Sequence, residues 1–270
     1  MAHSQNKILL IVEGKRTEPK LFHQFFFKME MTNVEIIPFE TNIYVLYNEI
    51  KKLNSNSDYD TTSTTEALKM IFDVQGKAEE SKKLEEKYPY IYLCFDFEYQ
   101  DKLIDILNKE EYLNEMLDYF NDETENGLLF INYPMIESYR DFPKNLNIYN
   151  YKDLKIEISK VPNYKSIVHK RGLQLNITKY NKLLFDFIVL QNVLKIEYII
   201  NKKYELPKWD VLISYLTGKE ILALQFVNIN DNKMLYVLCL SVCIGLYFYG
   251  KSYYDELEFL YKIITNSQEK

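Results

Sequence analysis

At 270 residues, with about 150 per domain as the usual size, the chain accommodates one large domain or two modest ones. Hydrophobic residues at 47% and charged residues at 27% exclude wholesale disorder, and only 7 Gly and 7 Pro exclude a collagen-like or linker-dominated architecture in favour of long helices. The 33 Lys and Arg against 39 Asp and Glu, net −6, exclude a general electrostatic binder of nucleic acid: a polyanion would have to be held by a local basic patch, or through metal ions that offset the carboxylates.

In chain order, Lys7 to Val12 is an unbroken apolar run, too short for a helix, and suits the centre of a parallel sheet covered on both faces. Glu13-Gly14-Lys15-Arg16 is the turn after it. Thr17 reads as an N-cap, with Pro19 in the first helical turn and Leu21, Phe22, Phe25 and Phe26 on an apolar face. Val34 to Phe39 reads as a second strand, Ile43 to Leu53 as a helix, Asn54 to Thr65 as a polar loop, and Glu66 to Glu86 as one charged helix. Tyr88 to Phe95 is a third strand running into Asp96-Phe97-Glu98. A helix over Lys102 to Phe120, an acidic loop from Asn121 to Gly127 and a strand from Leu128 to Asn132 follow.

Strands alternating with helices predict an α/β fold with a mainly parallel sheet across residues 1–142. A mainly helical C-terminal module is expected across 143–270, with helices near Asn176–Ile200, Trp209–Leu216, Gly218–Ala223, Lys233–Tyr249 and Tyr253–Ile264. Cys94, Cys239 and Cys243 lie in apolar segments without paired metal spacing and read as buried thiols of a reducing cytosol. The first apolar run is too short, and too soon followed by charge, for an export signal. Leu235 to Tyr249 falls short of the ~20 residues a span requires, so a buried core helix, no membrane and a cytoplasmic location are expected.

In an open α/β sheet, ligands meet the protein beyond the carboxyl ends of the strands. Glu13 follows the first strand, Asp96 and Glu98 the third, and Glu137 the fourth after a short connection. One acid after a strand is ordinarily a solvated loop residue or a helix cap. Acids at three strand ends on one edge repel one another unless a divalent cation intervenes, the arrangement that metal-assisted phosphoester chemistry requires. In extended chain, Asp96 and Glu98 point the same way while Phe97 packs inward, and Gly14 lets the backbone turn tightly beside Glu13. Lys15, Arg16 and Lys20 border the first helix and suit a phosphate. Lys160, Lys165, His169, Lys170 and Arg171 with Tyr164 form the most basic, aromatic-bearing stretch, which suits a grip on a nucleic-acid backbone but reads first as an exposed basic loop with no ligand. His23 reads as a packing or surface residue, and three histidines argue against a His-based zinc site.

The run Ile8-Leu-Leu-Ile-Val-Glu13-Gly14-Lys15-Arg16-Thr17-Glu18-Pro19 resembles the opening motif of a TOPRIM domain, particularly its RloB-like branch. Leu93-Cys-Phe-Asp96-Phe97-Glu98 falls where that family places its Asp-x-Asp motif, with Glu98 in place of the second Asp. Asn132-Tyr-Pro134-Met-Ile-Glu137-Ser138 resembles its later Asn-Pro-x-x-Glu segment. The match spans residues 7–142.

The resemblance implies binding of Mg²⁺ or Mn²⁺ and cleavage or strand transfer of nucleic acid. Glu13 would be the general acid/base or a metal ligand, Asp96 and Glu98 would hold metal, and Glu137 would be a further acidic site residue. Similar small TOPRIM proteins, such as the overcoming-lysogenisation-defect nucleases, act as toxic effectors of bacterial anti-phage systems, some restrained by a partner ATPase. This chain carries no Walker-type Gly-x-x-x-x-Gly-Lys-Ser/Thr, so an ATPase would be a separate chain.

A Mg²⁺-dependent nuclease acting on DNA or RNA, transfer RNA included, is therefore the leading expectation, with Lys15, Arg16, Lys165, Lys170 and Arg171 as substrate contacts. The apolar C-terminal helices offer a homo-oligomer interface. The competing expectation is a non-catalytic regulatory or docking module with a degenerate site, favoured by the net charge and by Glu98. A nucleotide-binding enzyme of the doubly wound type lacks its Gly-x-Gly-x-x-Gly fingerprint.

Overall fold

The computed structural model describes residues 7–56, 62–99, 108–142 and 151–266. β1 (Ile8–Val12) is shielded from water at every position, which explains why its five residues are apolar without alternation. It pairs in parallel with β2 (Val34–Pro38) on one side and β3 (Tyr90–Asp96) on the other, with Ile8 opposite both Val34 and Tyr90. β3 pairs in parallel with β5 (Gly127–Tyr133), Tyr92 opposite Leu128, so the parallel strands run β2-β1-β3-β5. All four carboxyl ends therefore face one edge.

Helices α1 (Thr17–Lys28), α2 (Ile43–Asn56), α3 (Thr64–Val74), α4 (Ala78–Lys83) and α5 (Lys109–Tyr119) alternate with these strands. Aromatic contacts join the layers. On one face of β3, Tyr92 meets Phe248 edge to face, ring centroids 4.9 Å apart, and on the other Phe95 meets Phe39 at 6.2 Å. Phe25 of α1 meets Phe185 at 5.2 Å. The α/β class and the mainly parallel sheet are as expected.

The C-terminal region is mainly helical: α6 (Tyr164–Arg171), α7 (Lys182–Asn201), α8 (Trp209–Tyr215), α9 (Lys219–Asn232), α10 (Ile244–Tyr249) and α11 (Lys251–Asn266). It also carries strands that the sequence reading lacked. β6 (Lys155–Glu157) pairs antiparallel with β7 (Met234–Tyr236), and β8 (Leu238–Cys239) pairs antiparallel with β5, Asn132 opposite Cys239. The helix expected over Lys233–Tyr249 is thus two short strands and a 3-10 turn before α10; an apolar run buried on all sides has no period to separate helix from strand. No helix among the described residues is long and apolar enough to cross a membrane.

Other expectations shift for local reasons. The single helix over Glu66–Glu86 breaks into α3 and α4 at Gly76, whose φ of 71° is left-handed. The loop from Asn121 contains β4 (Asn121–Asp122), antiparallel to β5. Thr17 is the first helical residue rather than the cap, which is Arg16 without a side-chain bond. Of the helix expected from Lys102, residues 102–107 lie outside the described residues, as do 143–150 beside the expected module boundary. Across that boundary the apolar core is continuous, and Asn132 stitches it: its Oδ1 accepts from Ser241 N (3.2 Å) and Cys239 Sγ (3.3 Å). The three cysteines are free and buried, and burial pushes the Cys239 thiol up to about 12.

Gly127 opens β5 with φ 103°, and a Cβ there would lie 2.6 Å from Leu93 Cδ1. Gly127→Ala is expected to lower stability by about 3 kcal/mol, from left-handed strain plus overpacking. Gly76→Ala, in open space at φ 71°, is expected to cost only about 1 kcal/mol. Urea midpoints of the two variants check this, and equal shifts would contradict it.

Candidate active site at the sheet edge

Glu13 continues β1 between its neighbours: its N–H donates to Cys94 O (3.2 Å) and its carbonyl accepts from Glu40 N (2.8 Å). That places the side chain over the end of β3, where Oε2 accepts from the backbone N–H of Asp96 (3.0 Å). Asp96 closes β3 and its Oδ1 accepts from Ile136 N (2.7 Å), in the 3-10 turn Ile136–Arg140 that carries Glu137. Strand ends and turn are thereby bonded in sequence: Glu13 to residue 96, Asp96 to residue 136.

Beyond Asp96 the extended alternation stops. Glu98 N donates to Asp96 O (3.0 Å) and Tyr99 N to Phe97 O (2.6 Å), a tight turn that buries Phe97. Lys109 fixes this turn, donating from its buried ammonium to the carbonyls of Glu98 (2.9 Å) and Tyr99 (2.6 Å). Glu98 hydrogen-bonds through its side chain to Glu13, a contact that needs a proton on one of the two carboxyls.

A fifth carboxyl was not singled out from the sequence. Glu18, in the first turn of α1, folds back so that Oε1 accepts from Gly14 N (3.1 Å), and it is buried. A Cβ at residue 14 would lie 2.7 Å from Glu18 Oε2. A side chain at 14 would push the Glu18 carboxylate off the position it holds over the backbone. The signal available was Glu18 beside Pro19 one helical turn after Glu13, but an acid in a helix's first turn is ordinary enough to hide it.

The electrostatics follow from burial and crowding. Burial, then the charges of Glu98 and Glu18, push the Glu13 carboxyl up to about 8, against the opposing bond from Asp96 N–H. Burial and the charges of Glu13, Glu18 and Glu137 push Asp96 well above the usual carboxylate range. Burial first, and Glu137 among its neighbours, raise Glu18. Glu137 is only 2% exposed; Oε1 lies 3.1 Å from Lys165 Nζ, while buried Oε2 has no hydrogen-bond partner.

The predicted basic contacts separate into three groups. Lys165 joins the acid cluster through Glu137. Lys15 pairs with Glu40 (3.2 Å) beside it, and Arg16 is exposed at the start of α1. Arg171 is committed elsewhere: Nε and Nη2 donate to Asp141 at 2.8 and 2.5 Å, so its guanidinium is a structural clamp rather than a phosphate contact. Lys170 is exposed on α6, away from that clamp. The basic stretch is the 3-10 turn Ile158–Asn163 and α6, where a loop was expected.

Glu13, Glu18, Asp96, Glu98 and Glu137 carry only oxygen donors, the ligand type that hard cations such as Mg²⁺ or Mn²⁺ prefer. The partnerless Glu137 Oε2 fits such a ligand. Among the described residues no three His, Cys, Asp or Glu side chains stand at ligating spacing; backbone donors or Lys165 contact four of the five carboxyls. No family model matches the chain, and no solved structure matches it.

A carboxyl whose folded pKa is raised binds more protons folded than unfolded between the two values, so stability falls as pH rises through that window. For Glu13 the window runs from 4.5 to about 8. In chelator, the melting temperature is expected to fall from the acid to the alkaline side of that window. With millimolar Mg²⁺ or Mn²⁺ the fall should shrink. A curve that rises across the window in chelator would contradict the charge crowding.

Proposed function

We propose that the chain is a TOPRIM-type, divalent-cation-dependent nuclease that cleaves phosphodiester bonds of DNA or RNA. One observation carries this reading: carboxyls from separate stretches of chain meet at the carboxyl edge of a parallel sheet, where burial first and then mutual crowding push Glu13 and Asp96 toward their protonated forms. Sequence order supports it too, since Glu13, Asp96, Glu98 and Glu137 follow the motif order of the family that the chain resembles.

Asp96, Glu98, Glu137 and Glu18 would hold Mg²⁺ or Mn²⁺. When bound, the ion would offset their charge and polarise a phosphoryl oxygen. Glu13 would take a proton from attacking water: a carboxyl whose pKa lies near neutrality is suited to proton transfer, and the Asp96 N–H fixes its orientation. Lys165 and Arg16 would meet the phosphate backbone. Control by a separate ATPase chain and an anti-phage role belong to the same proposal and rest on the resemblance.

Purified protein with Mg²⁺ or Mn²⁺ is expected to cut single- or double-stranded DNA or RNA, transfer RNA included. Glu13→Gln and Asp96→Asn are expected to lower the rate at least about 100-fold with melting temperature kept or raised. Full activity in both variants would sink the proposal.

The second reading, a docking module without catalysis, is favoured by the engagement of Lys15 and Arg171 in internal ion pairs, which leaves few cations for a phosphate backbone. It requires no cleavage of any of these substrates and partner binding insensitive to chelator.

A further inference from the structure

Asp141 is completely buried, and its carboxylate accepts hydrogen bonds from both ends of one helix. Tyr164 and Arg171, the first and last residues of α6, both reach it: Tyr164 Oη donates to Oδ2 (2.9 Å), and Arg171 donates to both oxygens. Between them Val168 is fully buried, so one face of a two-turn helix is nailed at both ends to the residue after the turn Ile136–Arg140. The exit is fixed as well. Leu173 N donates to Arg140 O (2.8 Å), and a Cβ on Gly172 would stand 2.5 Å from that oxygen.

Glu137 and α6 are therefore parts of one unit, and that unit sets Lys165 against Glu137. The lysine side chain is 66% exposed, whereas the Glu137 carboxylate it touches is buried. An exposed lysine gains little from a surface ion pair and gives up conformational freedom to hold one geometry. Here the clamp at Asp141 fixes the backbone that carries it, so only side-chain freedom is lost in the contact.

We propose that Lys165 is the built-in counter-ion of the acid cluster, held over Glu137 by the Asp141 clamp, and that a divalent cation entering the cluster has to displace its ammonium. This rests on the cation-binding reading of the same site. Lys165 holds the carboxylates together in the metal-free protein and leaves Glu137 when the ion binds, free to turn outward to a phosphate. Asp141, Tyr164 and Arg171 are positioning residues, acting only through the placement of α6.

The test is isothermal titration of the full chain with Mn²⁺, supported by Mn²⁺-dependent shifts in melting temperature. Lys165→Gln is expected to bind Mn²⁺ about three- to tenfold tighter than wild type, because the competitor is gone. Lys165→Arg, which keeps the charge, should stay near wild type. Lys170→Gln, which removes a charge from the same helix without touching Glu137, should change affinity less than twofold. Arg171→Met should move in the direction of Lys165→Gln by releasing α6; its folding is checked by circular dichroism, and the surface variants carry the conclusion if it unfolds.

Affinity that is measurable but equal in wild type and Lys165→Gln, or weaker in the variant, overturns the counter-ion role and leaves the cation site standing. So does an equal gain in Lys170→Gln, which would reduce the effect to net charge. Absence of Mn²⁺ binding in both wild type and Lys165→Gln overturns the cation-binding reading and this inference together.

Discussion

Loss of water and mutual repulsion among buried and half-buried carboxyls govern the sheet edge. Two carboxylates ~4 Å apart repel by about 4 kcal/mol at an effective dielectric of 20, and burial adds the loss of water to each. The protein offsets this one group at a time. A backbone N–H points at Glu13, another at Asp96, a third at Glu18, and an ammonium sits on Glu137. What is left is relieved by protonation, which is why Glu13 is driven up to about 8 and why it hydrogen-bonds to Glu98. No fold gains stability from such an edge, and its persistence is an argument for use.

The acids cannot relax apart because the scaffold beneath them is fixed from both halves of the chain. β8 adds to β5 at Asn132, the last position but one before the turn to Glu137. The Asn132 side chain binds the backbone of Ser241, while Asn192 of α7 accepts from Cys239 N (2.8 Å). Lys109 does the same service for the turn after Asp96, reaching two carbonyls from the start of α5. The C-terminal helices are thus more than a cap: they hold the strand end from which Glu137 departs.

The acid edge was legible in the sequence because parallel strands bring their carboxyl ends together whatever their order, so Glu13, Asp96 and Glu137 needed only correct strand assignments. Glu98 was legible by position but not by direction, since the tight turn at 96–99 depends on Lys109, eleven residues on. Glu18 was hidden by its ordinariness at a helix start. Arg171 looked like part of a basic grip because its partner, Asp141, is 30 residues away in sequence and only tertiary packing pairs them. The strands at 234–239 were illegible for the reason that makes them good core: residues apolar on every side carry no periodicity.

The same long-range pairing changes how the charges around the site are to be read. A count of basic residues near 160–171 gives a patch; their geometry gives a division of labour. Arg171, planar and forked, takes the buried carboxylate where bidentate bonding matters. Lys165, flexible and strongly hydrated, stands at the exposed rim and reaches the buried Glu137. A lysine at 171 would put a point charge where a helix has to be held. On the proposed cation-binding reading, the arrangement along α6 would let a small hard ion enter from solvent without loss of the frame around it.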